Sequence, residues 1–443
     1  SYSNVRRYLN EGILPPAGSV RIEELINYFH YDYPQPKGEH PFSINTELAE
    51  CPWNKNNKLA MIGLQGKRIP TENLPASNLV FLIDVSGSME SENKLPLVKS
   101  SLKLLIEQLR EQDRVSIVVY AGSAGLVLEP TPGDKKQKIR DALEELSAGG
   151  STAGGQGIQL AYKVAKENFA KNGNNRVILC TDGDFNVGVS SDAALVDMIA
   201  RERESGVYLT VLGYGMGNYK DNKMQQLADK GNGNHAYIDN IDEAKKVLVN
   251  EFGGTLFTIA KDVKLQVEFN PAKVRAYRLV GYENRMLQNE DFNNDKKDAG
   301  EIGSGHTVTA LYEIIPVGVE SEFIEGTDEL KYQRSARNVS SDEMMTVKFR
   351  YKKPGGDKSL LIVHPVRENI SQAASDNFRL VTAVAQFGML LSNSEFKQAS
   401  SFKSAQSLAS GAIGEDEEGY RTEFVALIAK ARKLYSNDGV SRK

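Results

Sequence analysis

Leu79-Val80-Phe81-Leu82-Ile83-Asp84-Val85-Ser86-Gly87-Ser88 joins five consecutive apolar residues to a carboxylate and two hydroxyls. A short apolar run that breaks into Asp, Ser and Gly reads as a strand buried on both faces and ending in a polar loop. Beyond the loop, Val98, Leu102, Leu105 and Leu109 recur at helical spacing. Pro96 stands near the start of that stripe, where its fixed φ suits a first turn. Strand, polar loop and amphipathic helix form the repeating unit of a sheet covered by helices.

Working outward, strand-like runs recur at 114–120, 176–181, 207–213 and 235–238. Helix-period segments fall between them, around Ile139, Leu143 and Leu146, around Ile158 and Ala161, around Leu195 and Ile199, and around Ala244 and Val247. Alternation of this kind predicts a doubly wound, Rossmann-like α/β domain with a mostly parallel sheet over residues 77–253. In open sheets of that type ligands gather at the carboxyl ends of the strands. Two further loops reach the same edge: Gly149-Gly150-Ser151-Thr152 precedes a helix, and Thr181-Asp182-Gly183-Asp184 follows a strand.

Collected at one edge, Asp84, Ser86, Ser88, Thr152 and Asp182 offer hard oxygen donors only. Such a set suits Mg²⁺ first, with Mn²⁺ or Ca²⁺ as alternatives, and does not suit zinc or copper. Two carboxylates balance a divalent charge, and the remaining positions fall to water or to another molecule. The glycines at 149, 150, 154, 155 and 157 allow positive φ and close backbone approach. Asp184 and Glu90 are read as solvated loop carboxylates rather than added ligands.

The pattern Asp84-x-Ser86-x-Ser88, Thr152 and Asp182 resembles the metal-ion-dependent adhesion site of von Willebrand factor A domains. The resemblance implies that Asp84, Ser86, Ser88 and Thr152 ligate the ion and that Asp182 acts through water. It also implies that the open metal position accepts an Asp or Glu of a partner protein.

The flanks are similar to the bacterial YfbK-like members of that group. The likeness is carried by Tyr2-Ser3-Asn4-Val5-Arg6-Arg7-Tyr8-Leu9, by Asp298-Ala299-Gly300-Glu301-Ile302-Gly303-Ser304-Gly305-His306, and by the helical text around Val384-Ala385-Gln386-Phe387-Gly388. Residues 255–365 carry β-like runs and 366–443 turn helical. Residues 1–76 hold helical segments and two strand-like runs that are expected to complete the β-rich part, since two strands alone are marginal in water. The α/β domain is thus expected as an insertion in a β-rich, sandwich-like domain with C-terminal helices. The resemblance further implies a cell-envelope location, periplasmic or surface-exposed, with an export or lipoprotein signal upstream of Ser1.

Other classes fit less well. With 54 basic and 58 acidic residues the net charge is −4, and no basic run is dense enough to neutralise a phosphate backbone, so nucleic acid is not an expected partner. No apolar stretch approaches the ~18–20 residues that span a bilayer. No Gly-Lys-Ser/Thr follows the glycine-rich loop, and Gly213-Tyr214-Gly215-Met216-Gly217 lacks dinucleotide-fingerprint spacing. The five histidines are scattered, and Cys51 and Cys180 have no metal-type spacing, Cys180 reading as a small buried hydrophobe. The aromatic run Tyr28-Phe29-His30-Tyr31-Asp32-Tyr33 reads as packing between domains rather than as a sugar platform. No catalytic constellation is recognised. A Mg²⁺-assisted hydrolase, which needs a general base, and a structural scaffold with a silent site remain the alternatives to a binding module.

Overall fold

The computed structural model describes residues 2–150, 154–184, 192–215, 221–281, 302–323, 341–369 and 373–441. The chain divides into two compact units, one made of Ser1–Lys67, Ala260–Ile302 and His306–Lys443, the other of Arg68–Ile259 with Gly303–Gly305.

In chain order the strands are β1 (Phe42–Glu50), β2 (Lys58–Gly66), β3 (Ser77–Asp84), β4 (Arg114–Tyr120), β5 (Ala124–Pro132), β6 (Asn174–Thr181), β7 (Val207–Tyr214), β8 (His235–Ile238), β9 (Thr258–Phe269), β10 (Val274–Leu279), β11 (Ile302–Gly303), β12 (Thr307–Pro316), β13 (Glu343–Lys352) and β14 (Ser359–Arg367). Among the described residues these strands form three sheets, with orders β1-β2-β12-β10, β11-β9-β13-β14 and β5-β4-β3-β6-β7-β8.

The six-stranded sheet belongs to the α/β unit, and β3 lies inside it with parallel neighbours β4 and β6. Every residue of β3 is buried, which is why its sequence is a continuous apolar run rather than an alternation. The two faces still sort by period two. Leu79, Phe81 and Ile83 join one core with the helix Leu95–Glu107, and Val80 and Leu82 join another with the helix Gly154–Glu167. Cys180 is fully buried in the first of these cores as a free thiol. This architecture is the doubly wound class expected from the sequence.

One strand of this sheet was not expected. β5 runs antiparallel to β4 at the edge, with register shifts beside Ile117. Those irregularities break the two-residue period, Leu126 and Val127 face solvent, and Pro130 and Pro132 are tolerated because an edge strand leaves N–H positions unpaired.

In the other unit the period of β2 shows how one strand serves two cores. Ala60 and Ile62 face the space between the two four-stranded sheets, together with Ala310, Ile314, Met345 and Val347. Leu59 and Met61 point the opposite way, into a core shared with the helix Asp376–Leu391. β2 pairs with β12 along its length, from Thr307↔Gln65 to Ile314↔Lys58. The aromatic run also packs here: Tyr28 stacks on Tyr2 at 3.8 Å, and Phe29 lies 5.3 Å from Phe424 of the C-terminal helix Tyr420–Ser441.

Glu368 bridges Lys273 at 2.7 Å and Lys58 at 2.9 Å. The hydrogen bonds from Lys273 and then Lys58 outweigh desolvation and hold its carboxyl down at about 2. A depressed carboxylate contributes stability that is present above its ordinary value of 4.5 and lost as pH falls toward 2. Glu368→Gln is therefore expected to flatten part of the acid limb of urea unfolding. Because the side chain is 35% exposed, the effect is about 1 kcal/mol or less. An unchanged pH slope between neutral pH and that window would exclude a role for these pairs.

Candidate metal centre

Asp84 is the last residue of β3 and is fully buried, yet its carboxylate is surrounded by neutral donors. Ser86 supplies two of them to Oδ1, its backbone N–H at 2.9 Å and its hydroxyl at 2.6 Å. Tyr120 Oη and Thr181 Oγ1 donate to Oδ2 at 3.2 and 3.4 Å. Burial raises the Asp84 pKa, and the charge of Asp182 adds to this; the Ser86 and Tyr120 hydrogen bonds oppose it without cancelling it. Among the described residues no Lys or Arg forms an ion pair with Asp84.

The Ser86 and Ser88 hydroxyls lie 3.2 Å apart, and Lys94 Nζ links the Ser88 carbonyl, 2.9 Å away, to the Asp182 carboxylate. Asp182 follows β6, and its Oδ1 accepts the Asp184 N–H at 3.2 Å. Its Oδ2 accepts Lys94 Nζ at 2.8 Å. Burial disfavours the charge on Asp182, but the Lys94 and Ser88 hydrogen bonds and the Asp184 amide overcome it and leave the pKa lowered. Asp84, Ser86, Ser88 and Asp182 are therefore one connected group at the carboxyl edge of β3 and β6.

The second loop is tied to the first by backbone bonds, Gly149 N–H to the Val85 carbonyl at 2.8 Å and Gly87 N–H to the Gly150 carbonyl at 3.0 Å. Gly150 adopts φ +82°, the left-handed region that a side chain disfavours. Gly157 serves close approach instead, since a Cβ there would meet Tyr120 Cβ at 2.8 Å. Ser151 and Thr152 lie outside the described residues. Asp184 and Glu90 are both exposed.

Among the described residues no cluster of three or more His, Cys, Asp or Glu side chains occurs. The donors gathered here are hydroxyls and two carboxylates, a hard-oxygen set that fits Mg²⁺ or Mn²⁺ and leaves thiophilic metals without a ligand.

Three polar residues of this edge escaped the sequence reading. Tyr120 was traceable in principle: β3 and β4 pair in register with Asp84 opposite Tyr120, so its hydroxyl arrives at the same end. Thr181 directly precedes Asp182 and closes β6. Lys94, six residues past Ser88 in a polar loop, carries no signal that separates it from any surface lysine.

Residues 78–249 match the von Willebrand factor type A domain family, residues 1–61 match a family described as von Willebrand factor, and residues 254–434 match "Uncharacterized protein YfbK, C-terminal". The chain is 45% identical over 441 residues to YfbK of Escherichia coli strain K12, covering 97% of this chain and 76% of that protein. It is 27% identical over 165 residues to human inter-alpha-trypsin inhibitor heavy chain H3, which involves 35% of this chain and 18% of that one. A solved von Willebrand factor type A protein from Catenulispora acidiphila covers 88% of this chain and 91% of its own at 16% identity, with a TM-score of 0.45. Von Willebrand factor A domains are generally protein-interaction modules and often bind a divalent cation. With the α/β unit matching the A-domain family and the identity to YfbK extending over both flanks, the chain belongs to the YfbK family of von Willebrand factor type A domain proteins.

Proposed function

We propose that this protein is a metal-dependent protein-binding module of the bacterial cell envelope, which uses a divalent cation to engage an exposed Asp or Glu of its partner. The observation that carries the reading is the state of Asp84: a buried carboxylate with raised pKa, no ion-pair partner among the described residues, and two hydroxyls held beside it. A charged group so placed is costly unless a cation accompanies it.

Asp84, Ser86 and Ser88 would hold the ion, with Thr152 completing the set from the second loop and Asp182 acting through water. Mg²⁺ is the favoured occupant, with Mn²⁺ or Ca²⁺ as substitutes. When bound, the ion supplies a Lewis-acidic position open to an anionic oxygen. Tyr120 and Thr181 fix Oδ2 of Asp84, and the Ser86 amide fixes Oδ1, so the carboxylate is oriented before any ion arrives. No described helix is long and apolar enough to cross a membrane. The envelope location is supported by the family likeness.

Affinity capture from envelope extracts tests this. The expected partner is retained by the wild type in millimolar Mg²⁺, released by EDTA, and not retained by Asp84→Ala. Substituting a surface carboxylate of the captured protein should weaken binding at least ~10-fold, equivalent to about 1.4 kcal/mol. A partner held equally in EDTA and by Asp84→Ala would move the interface away from this edge and sink the proposal.

A further inference from the structure

Two carboxylates face the proposed centre, and the chain treats them differently. Asp84 receives neutral donors, whereas Asp182 is paired with a lysine: Lys94 Nζ reaches Oδ2 at 2.8 Å and, at the same time, the Ser88 carbonyl at 2.9 Å. The pair is sheltered, with side-chain exposures of 17% for Lys94 and 5% for Asp182. Nζ is thus bonded to the first loop and the third loop together.

The lysine stem has a reserved path. Gly215, at φ +85°, lies under it so closely that a Cβ would stand 2.6 Å from Lys94 Cε and 2.9 Å from Cγ. The backbone at the other end is fixed as well: Lys94 N–H donates to the Ser91 carbonyl at 2.9 Å, and its carbonyl accepts from Val98 at 2.8 Å at the start of the helix Leu95–Glu107. Lys94 is anchored along its length, which a solvated lysine is not.

With Oδ2 bonded to the Lys94 ammonium, the charge of Asp182 already has a cation of the protein beside it, whereas Asp84 receives neutral donors alone. We propose that Lys94 is a specificity-determining residue of the metal centre, a resident cation that keeps Asp182 from direct coordination. The ion then has Asp84 as its direct carboxylate among the described residues. With Lys94 present, a divalent ion and the two carboxylates leave one net positive charge at the edge; without it they cancel. The surplus favours an anionic oxygen over a neutral donor as the incoming ligand. The lysine therefore trades metal affinity for selectivity toward acidic partners. This inference rests on the metal-binding reading above.

The test uses the full chain and Mn²⁺ alone, followed by calorimetry and by water-proton relaxation, with thermal unfolding in EDTA as the check on folding. Lys94→Met removes the charge and keeps the stem; Lys94→Gln removes the charge and keeps a donor, and serves if the methionine variant does not fold. The charge-removing variants are expected to bind Mn²⁺ about 10-fold tighter or more, since a like charge a few ångströms from the ion is lost. They should also show lower relaxation enhancement per bound ion, because Asp182 replaces a coordinated water. Lys94→Arg, which keeps the charge, should stay close to wild type. If wild type binds Mn²⁺ and the neutral variants bind it equally or more weakly with unchanged relaxation, the role assigned to Lys94 is wrong and the centre itself stands. If neither wild type nor the neutral variants take up Mn²⁺ at millimolar concentration, the metal reading fails and this inference falls with it.

Discussion

Asp84→Ala is expected to abolish the rise in melting temperature that Mg²⁺ or Mn²⁺ gives the wild type. A ligand bound only to the folded state stabilises it by RT ln(1 + [L]/Kd). For an open, partly water-filled oxygen site with Kd of ~10⁻⁴–10⁻³ M, metal at ~10 mM supplies roughly 1.4–2.7 kcal/mol. In a unit of this size each kcal/mol moves Tm by about 2–4 °C, so the wild-type shift is of order 3–10 °C. The alanine also removes the acceptor of the Ser86 amide, at about 1–3 kcal/mol for a buried group left unmade, and one bond each from the Ser86, Tyr120 and Thr181 hydroxyls, of which Ser86 keeps Ser88 and Thr181 keeps the Gly183 amide. Its baseline Tm falls even in EDTA, so the decisive quantity is the difference between metal and EDTA within each variant.

Asp84→Asn separates these two effects. The amide oxygen retains an acceptor for Ser86, and the neutral side chain suits a site where burial already raises the carboxyl pKa. Its baseline should lie closer to wild type while its metal shift is lost. A metal shift that survives in both variants, measured by scanning calorimetry, would place any ion elsewhere on the molecule.

How much of this was legible in the sequence follows from the kind of signal each element leaves. β3 is buried on both faces, so an unbroken apolar run ending in Asp84-x-Ser86-x-Ser88 announces both the strand and the edge where it stops. The helix Leu95–Glu107 buries Val98, Leu102 and Leu105 at helical spacing and was equally plain. β5 left no such trace, because an edge strand with bulges and two prolines has neither a buried run nor a clean alternation. The site divides in the same way. Its loop residues stand in a recognisable spacing, whereas Tyr120 and Lys94 reach it only through strand register and through a side chain that crosses between two loops. Spacing along a chain does not encode either relation. The placement of Thr152 rests on the spacing alone, since it lies outside the described residues.

Residues 68–259 expressed alone are expected to fold and unfold cooperatively, whereas 1–67 and 260–443 expressed separately are not. The α/β unit contributes all six strands of its sheet from one continuous stretch, and both of its cores are closed by helices from that stretch. What it loses is Gly303–Gly305, including the Ser304 bonds to Ile69 and Phe257, both at 2.8 Å, a cost of about 1 kcal/mol per bond. The other unit is built across the insertion. Its first sheet takes β1 and β2 from one side of the chain and β12 and β10 from the other, joined by the β2–β12 ladder. Cut there, the N-terminal piece keeps a two-stranded hairpin that is marginal in water. Tyr2, Tyr28 and Phe29 likewise lose Phe424 and Tyr420, and aromatic side chains of this size carry several kcal/mol of burial. Mixing or co-expressing 1–67 with 260–443 should restore helical and sheet circular dichroism and a cooperative urea transition that neither fragment shows alone. A cooperative transition in either isolated fragment would mean that the sandwich does not need both halves, and a non-cooperative 68–259 would mean that the inserted sheet relies on the unit it interrupts.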